Sequence, residues 1–376
     1  MNILLIHPHD IYSSIEPWTI RVVSFAREFS RKGHKVILVH FPRRDNFKKH
    51  AVPVGNIRVI ALSRKIGPFI LIVNFIKIFR LAGLADVVHF QKCFHWASVP
   101  ALLAGCLRNK HLHYDWDDWE EKIYCLSHKK PQLAVIFLLR FLESFIPRLV
   151  DTISVSSEYL KGLCLNLGIR SENIFKVPVG ADLDEFNPAV CGKQVKDKYG
   201  LGFPVVTYIG QLHGVQYAGL FLEAAGIVSQ HEDKACFMVI GEGYLRPVLE
   251  EFCRKAGLKN VVFTGHVPHS EINRYIACSD ICVASFEDNL ATRCKSPLKI
   301  VEYLSSGKPV VACDTGEVSQ MVGDAGLLVK PGSASRLAEG IIKLISDSAL
   351  RMSLGEKSRK RAEDIYNWKV SSETLL

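Results

Sequence analysis

The stretch CKSPLKIVEYLSSGKPVV (294–311) decides how the second half of the chain is read. Ser296 is a good N-cap, and Pro297 suits the first helical position because its missing N–H would be unpaired there anyway. The helix so begun stops at a glycine, and KPVVAC (308–313) follows as a short strand. Arg293, Lys295 and Lys299 crowd the start of this helix, where the backbone is already positive. A lysine in the first turn costs a few tenths of a kcal/mol, up to ~1, against the helix dipole. Either an anion sits at the helix end and takes both N–H and ammonium groups, a diphosphate being the obvious candidate, or the cations form a solvated basic loop.

Working outward, the same strand-and-helix alternation fills the second half. Short apolar runs stand at 205–210, 236–243, 260–265, 280–285, 308–313 and 325–330, with helical patterns between them. The first half has its own series: NILLIH (2–7), HKVILVHF (34–41), IRVIAL (57–62), ADVVHFQ (85–91), the run before YDWDDWE (114–120), and VDTISVSS (150–157). Such alternation predicts parallel strands joined by helical crossovers, hence two α/β doubly wound, Rossmann-like domains in tandem, facing across a cleft. The proline- and glycine-bearing segment 177–204 is read as the connection between them. The boundaries predicted are 1–185 and 186–361, with 362–376 packing back onto the first domain and Trp368 anchoring it.

The bulk numbers narrow the class without choosing a ligand. The 376 residues carry a net charge of +9, a mild excess compatible with an anionic ligand or membrane surface. The opening MNILLIHPHD lacks a charged n-region and a long apolar h-region, so no signal peptide is expected. Eleven cysteines stand without a CxxC pair or metal-ligand spacing, which is expected of reduced thiols in a cytoplasmic protein. No run reaches 18 apolar residues, so no membrane-spanning helix is expected. Two apolar helical stretches, 67–83 and 131–150, are interrupted by Lys77, Arg80, Arg140 and Glu143. They read either as helices of an α/β domain or as a face resting on an anionic bilayer. GEGYLR (241–246) lacks the third glycine of a dinucleotide fingerprint, which argues against an oxidoreductase.

SPLKIVEYLSSGKPVV (296–311) resembles the signature helix of glycosyltransferase family 4, retaining GT-B enzymes that use nucleotide-diphosphate sugars. Further matches are 155–188, 237–251, 261–286 and 325–345, so the second half is covered almost throughout and the first more loosely. The resemblance implies a donor-binding second domain and an acceptor-binding first one. It implies ribose contact for Glu302, and base contact for the segment Gly265, His266 and Val267. It places Gly210 and Gln211 beside the phosphates, with Arg293, Lys295, Ser296, Pro297, Leu298 and Lys299 at the diphosphate. Read from the helix alone, Glu302 either pairs with Lys299 or accepts hydrogen bonds from a vicinal diol.

This sequence departs from the family at three places. Cys294 stands where a first glutamate is common, and Gln211 and Gln216 stand where an Arg and a Lys usually neutralise the diphosphate. Arg293, Lys295 and Lys299 are then expected to supply that charge. In the first half, His9, Asp10 and Glu16 follow the first strand, and Asp115, Trp116, Asp117 and Asp118 end another. These are the acceptor or sugar candidates. Asp117 takes the slot in which many relatives have a histidine near the transferred sugar, and with Lys299 it is the catalytic candidate. The other reading is that Asp117 or Asp118 caps the next helix.

The expected reaction is transfer of a sugar from a UDP- or GDP-sugar, UDP favoured, to a hydroxyl of a glycan or lipid-linked acceptor. It is expected to be retaining and to need no metal and no cofactor, with no nucleic-acid partner. A peripheral place on the cytoplasmic face of an anionic membrane goes with it. Two alternatives stay open: a non-catalytic member that binds a nucleotide sugar or a partner, and a GT-B-type sugar-nucleotide epimerase.

Overall fold

The computed structural model describes residues 1–13, 17–42, 57–65, 67–128, 130–213 and 217–376. It forms two compact units. One comprises Met1–Cys125, Lys130–Pro178 and Ser371–Leu376, the other Leu126–Lys129 and Val179–Val370. The first unit thus ends at Pro178 rather than at 185. Phe186 is buried in the core of the second unit, and Ala181 pairs with Asn367 there, which draws this segment into the second unit. The second unit also runs beyond 361, through Trp368, which is buried. Only Ser371–Leu376 return to the first, where Glu373 pairs with Lys32 at 3.4 Å.

The first unit holds a parallel sheet of β1 (Asn2–His7), β2 (Lys35–His40), β3 (Ile57–Ala61), β4 (Val87–Gln91), β5 (His111–Trp116), β6 (Thr152–Val155) and β7 (Ile174–Lys176). Its order is β3-β2-β1-β4-β5-β6-β7, so the winding reverses between β1 and β4. The second unit holds β8 (Val205–Ile209), β9 (Cys236–Ile240), β10 (Val261–Gly265), β11 (Ile281–Ala284), β12 (Val310–Cys313) and β13 (Gly326–Val329), in the order β10-β9-β8-β11-β12-β13. Here the reversal falls between β8 and β11. These strands are near-continuous Val, Ile and Leu because helices cover both faces of a doubly wound sheet. The carboxyl ends flanking each reversal are where such sheets bind ligands.

Short elements went unread in the sequence. β7 is only three residues, and the segment read as a connection contains the helix Lys193–Tyr199, ended by Gly200 in a left-handed conformation at φ 62°. The two apolar stretches are the helices Pro68–Ala82 and Leu133–Phe145. Each joins strands running the same way across the sheet, so right-handed crossovers put both on one face of the first unit. Their outer sides remain apolar: Phe69 is 73% exposed, Ile72 57%, Phe137 63% and Phe141 57%. Isolated exposed apolar residues are ordinary, but rows of them along two helices of one face are the mark of an interaction surface. The polar interruptions are used internally. Glu143 accepts from the backbone N–H groups of Glu120 and Glu121, and Arg140 pairs with Glu121 at 2.7 Å.

Candidate active site

The helix Leu298–Ser305 begins beside the strand reversal of the second unit. Tyr303, on this helix, accepts from the amide N–H of Ile209 at 3.0 Å, which ties it to the end of β8. Pro297, not Ser296, occupies the N-cap position, and Leu298 is the first helical residue. The Ser296 hydroxyl accepts instead from the amide of Val179 at 3.2 Å, so it is held by a neighbouring segment and not by its own helix.

Lys299 is half-buried, with its ammonium 4.3 Å from the Tyr208 ring centre and 5.1 Å from that of Phe286. These rings belong to the end of β8 and the residues just after β11. A side chain at Gly210 would come within 3.2 Å of the same ammonium, so Gly210 and Lys299 converge at the reversal. Lys299 makes no ion pair among the described residues; the pairing with Glu302 read from helical spacing is not formed. Burial, with the charge of Lys295 added, lowers its pKa to about 7. Cation–π attraction offsets part of the desolvation but does not neutralise the charge.

The other two cations differ from it and from each other. Arg293 forms a two-pronged pair with Asp288, both contacts at 2.7 Å, so its guanidinium is committed to a carboxylate. Lys295 is half-buried beside Lys299. Gln211 is exposed, Cys294 is fully buried, and Gln216 lies outside the described residues.

Three glycines make the adjoining strand ends bare. A side chain at Gly241 would fall 1.9 Å from the carbonyl oxygen of Gly210, and Gly265, at φ 75°, accepts from the Gly241 amide at 3.1 Å. Backbone therefore packs on backbone here, as close approach of a ligand to strand ends requires. His266 is exposed and Val267 buried. Glu302 is buried, with one carboxylate oxygen 2.6 Å from His269 Nε2. Burial works against a charged His269, but the hydrogen bond and charge of Glu302 prevail and its pKa is raised. Nothing in the sequence pairs His269 with Glu302, 33 residues away; the two meet only through the fold.

In the first unit the carboxyl ends of β1, β4 and β5 carry a linked polar cluster. Gln91 donates its amide to Asp117 Oδ2 at 2.7 Å, and its carbonyl lies 2.6 Å from His7 Nδ1. Lys92 is buried, and its ammonium reaches Asp118 at 3.0 Å, Glu120 at 2.6 Å and Asp117 Oδ1 at 3.3 Å. Asp117 is 8% exposed, and its Oδ1 has no hydrogen bond. Burial is the main reason its pKa rises to about 7; Lys92 opposes the rise, and Asp118 and Asp115 add to it. Neither Asp117 nor Asp118 caps the helix Glu120–Ser127, because Glu143 fills that role.

Two of the acidic-loop candidates turn inward. Asp115 is 1% exposed, both oxygens are taken by Arg21 at 2.8 Å, and Ser154 donates to it at 2.6 Å. Trp116 is buried, its ring 6.2 Å from that of Tyr114. Residues 115 and 116 still belong to β5, whose two faces are both covered, and partly exposed chain begins only at 118. His9 is buried against Trp18 and Phe94, with Nδ1 3.1 Å from Arg64. Asp10 accepts from the Tyr12 amide at 3.1 Å and lies 3.6 Å from His40. Glu16 lies outside the described residues.

With this geometry in view, the likeness to known proteins falls on both halves. Residues 19–185 match the model of Glycosyltransferase Family 4, and residues 203–347 that of Glycosyl transferases group 1. The chain thus resembles the family-4 glycosyltransferases in both of its halves. The alpha-D-kanosaminyltransferase of Streptomyces kanamyceticus is 25% identical over 187 residues, 48% of this chain and 47% of the relative. A GDP-mannose-dependent phosphatidylinositol monomannoside mannosyltransferase of Mycobacterium tuberculosis is 23% identical over 232 residues, 60% of each chain. This chain spans about half the length of the first of these. Among solved structures, Anabaena HepE in complex with UDP and glucose superposes with a TM-score of 0.75 at 17% identity, covering 100% of this chain and 98% of the other. A Rickettsia africae glycosyltransferase gives 0.78 at 17% identity, covering 100% and 96%. The fold of this chain is GT-B, two doubly wound α/β units.

Proposed function

We propose that the chain transfers a sugar from a nucleoside diphosphate sugar to an acceptor hydroxyl, with the diphosphate received at Lys299. The carrying observation is that ammonium: converged on Gly210 at a strand reversal, lacking a carboxylate partner among the described residues, and held near neutrality by burial. An arriving diphosphate would be met by a preorganised cation and the N–H groups of the helix start. Lys295 adds charge beside it. Glu302, steadied by His269, keeps its second oxygen for the ribose hydroxyls, and the bare glycine strand ends admit the base. The donor proposed is a UDP-sugar in preference to a GDP-sugar, in keeping with the UDP in the HepE structure.

The reaction is proposed to retain the anomeric configuration and to need neither metal nor cofactor. The departing phosphate takes the acceptor proton as the new glycosidic bond forms on the same face. Lys299 compensates the charge left on the diphosphate. Titration calorimetry with UDP, GDP, ADP and CMP tests the site. UDP is expected to bind, and Lys299→Ala to weaken it at least tenfold. Equal binding of all four, or an unaffected variant, would sink the assignment. Saturable binding without transfer or donor hydrolysis would instead identify a non-catalytic member, the reading that exposed Gln211 and the committed Arg293 favour.

The acceptor is proposed to be lipid-linked or presented at the cytoplasmic face of a membrane, on the strength of the apolar helices Pro68–Ala82 and Leu133–Phe145. No helix among the described residues is long and apolar enough to cross a membrane. Exposed Lys77 and Arg80 beside Ile72 and Ile76 suit anionic headgroups. Co-sedimentation should therefore be stronger with anionic than with neutral vesicles, and Phe137→Asp with Phe141→Asp should reduce it several-fold. Unchanged sedimentation in the double variant would remove the membrane from this reading.

A further inference from the structure

The cluster at the ends of β1, β4 and β5 contains more than the transfer reaction has used so far. Lys92 adopts φ 63°, a left-handed conformation rare outside glycine, while its side chain is 3% exposed. Such a residue persists only where its surroundings compel it, and such strain gathers at functional sites. Here the reason is visible: the left-handed turn directly after β4 aims the ammonium at the three carboxylates of the next strand end. Gln91, its neighbour, has a defined orientation. Because its amide donates to Asp117, its carbonyl must accept, and His7 Nδ1 carries the proton. Burial, aided by His9 and Lys92, holds His7 well below the ordinary imidazole range, so the ring is neutral. His7 Nε2 is thus a lone-pair acceptor, fully buried and without a hydrogen bond; Asp117 Oδ1 has none either, its partner being the Lys92 ammonium at 3.3 Å.

Resting on the reading that Asp117 contacts sugar, we infer that Lys92 and Gln91 are positioning residues for transfer. Gln91 pins Asp117 through Oδ2 and His7 through Nδ1, and Lys92 holds Asp117 through Oδ1, leaving lone pairs on Oδ1 and on His7 Nε2 for hydroxyl donors of a sugar. A phosphate or carboxylate brings no donor to such a pair, so the ligand here is a neutral polyol. Those hydroxyls belong either to the transferred sugar or to the acceptor. The charged groups around Asp117 are Lys92, Asp118, Asp115 and Arg21, with Glu120 across Lys92 and neutral His7 beyond Gln91.

The test uses hydrolysis of UDP-glucose and GDP-mannose by the full chain, followed by nucleoside diphosphate release from pH 5.5 to 9. Lys92→Gly suits the left-handed backbone and removes the ammonium; Gln91→Met removes both hydrogen bonds at little change in size. The acid limb of the wild-type profile is expected to move up by at least one pH unit in Lys92→Gly, and Lys92→Arg to restore it. Gln91→Met is expected to lower kcat with nucleotide binding unchanged. A residue that only stabilises the fold would lower the melting temperature and leave the pH limb in place, and that outcome overturns the inference. If Lys92→Gly does not fold, Gln91→Met decides alone: wild-type kcat refutes the positioning role. Asp117→Asn separates the two levels. Full activity in that variant refutes the sugar contact itself, whereas impaired Asp117→Asn with normal Lys92→Gly and Gln91→Met refutes only the positioning. A defect in hydrolysis assigns the hydroxyls to the transferred sugar; a defect confined to transfer onto added polyol acceptors assigns them to the acceptor.

Discussion

Replacing Lys299 by methionine is expected to lower sugar-transfer turnover by about 10²–10³ while making the free protein more stable at neutral pH. The loss follows from removing a preorganised cation at the leaving diphosphate, where one such group accounts for about 3–4 kcal/mol of barrier. The gain follows from linkage. The folded-state pKa of Lys299 is depressed to about 7, chiefly by burial, against about 10.4 in an unfolded chain. Between those values the unfolded state binds more protons, so wild-type stability rises with pH across the window and is lost as pH falls through about 7. Methionine has no charge to desolvate, so the variant lacks this dependence. Discounted for partial solvent contact, the advantage at pH 7 is about 1–2 kcal/mol, or roughly 2–8 °C in melting temperature. Scanning calorimetry at pH 7 and pH 10, with the two proteins converging at the higher pH, checks it.

The same depressed pKa makes nucleotide binding a proton-uptake reaction. Below about pH 7 the ammonium is already charged, and UDP affinity should be flat. Above it, affinity should fall by up to tenfold per pH unit, because the lysine must be protonated to meet the diphosphate. Lys299→Met should bind weakly with no such slope. A wild-type affinity independent of pH between 7 and 9 would place the diphosphate elsewhere.

Three cations in seven residues announced an anion site in the sequence, but not which cation would serve it. That depended on Asp288, which turns Arg293 aside, and on Tyr208 and Phe286, which enclose Lys299 from two other strand ends. The strands were legible because a parallel sheet buried on both faces writes itself as apolar runs; three-residue β7 is too short to do so. In the acidic loop, composition alone made Asp115, Trp116, Asp117 and Asp118 look equivalent. Their roles diverge through partners distant in the chain: Arg21 claims Asp115, Gln91 and Lys92 claim Asp117, and Glu143 displaces both loop aspartates from the cap. Only the packing of the elements brings those partners together, and no local pattern encodes it.

Arg21 carries the second large effect. Its guanidinium is 3% exposed and clamps Asp115 with two hydrogen bonds of 2.8 Å directly beneath the acidic loop. Burial opposes charge on both partners, yet their attraction prevails: Arg21 is raised and Asp115 is held well below the usual carboxylate range. Arg21→Met leaves a carboxylate buried without its counter-charge and should cost about 3–5 kcal/mol. For a unit of this size that is roughly 6–20 °C in the melting temperature of its transition. Combining Arg21→Met with Asp115→Leu removes the orphaned charge as well, and most of the loss should return, because desolvating a buried pair consumes much of its attraction. Since Asp115 is depressed in the fold, the wild type keeps this contribution above the ordinary carboxylate pKa and loses it only as pH falls through the depressed value. The double variant should therefore lose less stability than wild type between pH 4 and pH 2. Urea unfolding of the three proteins at pH 7, pH 4 and pH 2 measures both effects. If Arg21→Met proved neutral, the pair would be ornamental, and the orientation of β5 that presents Asp117 at the strand end would need another source.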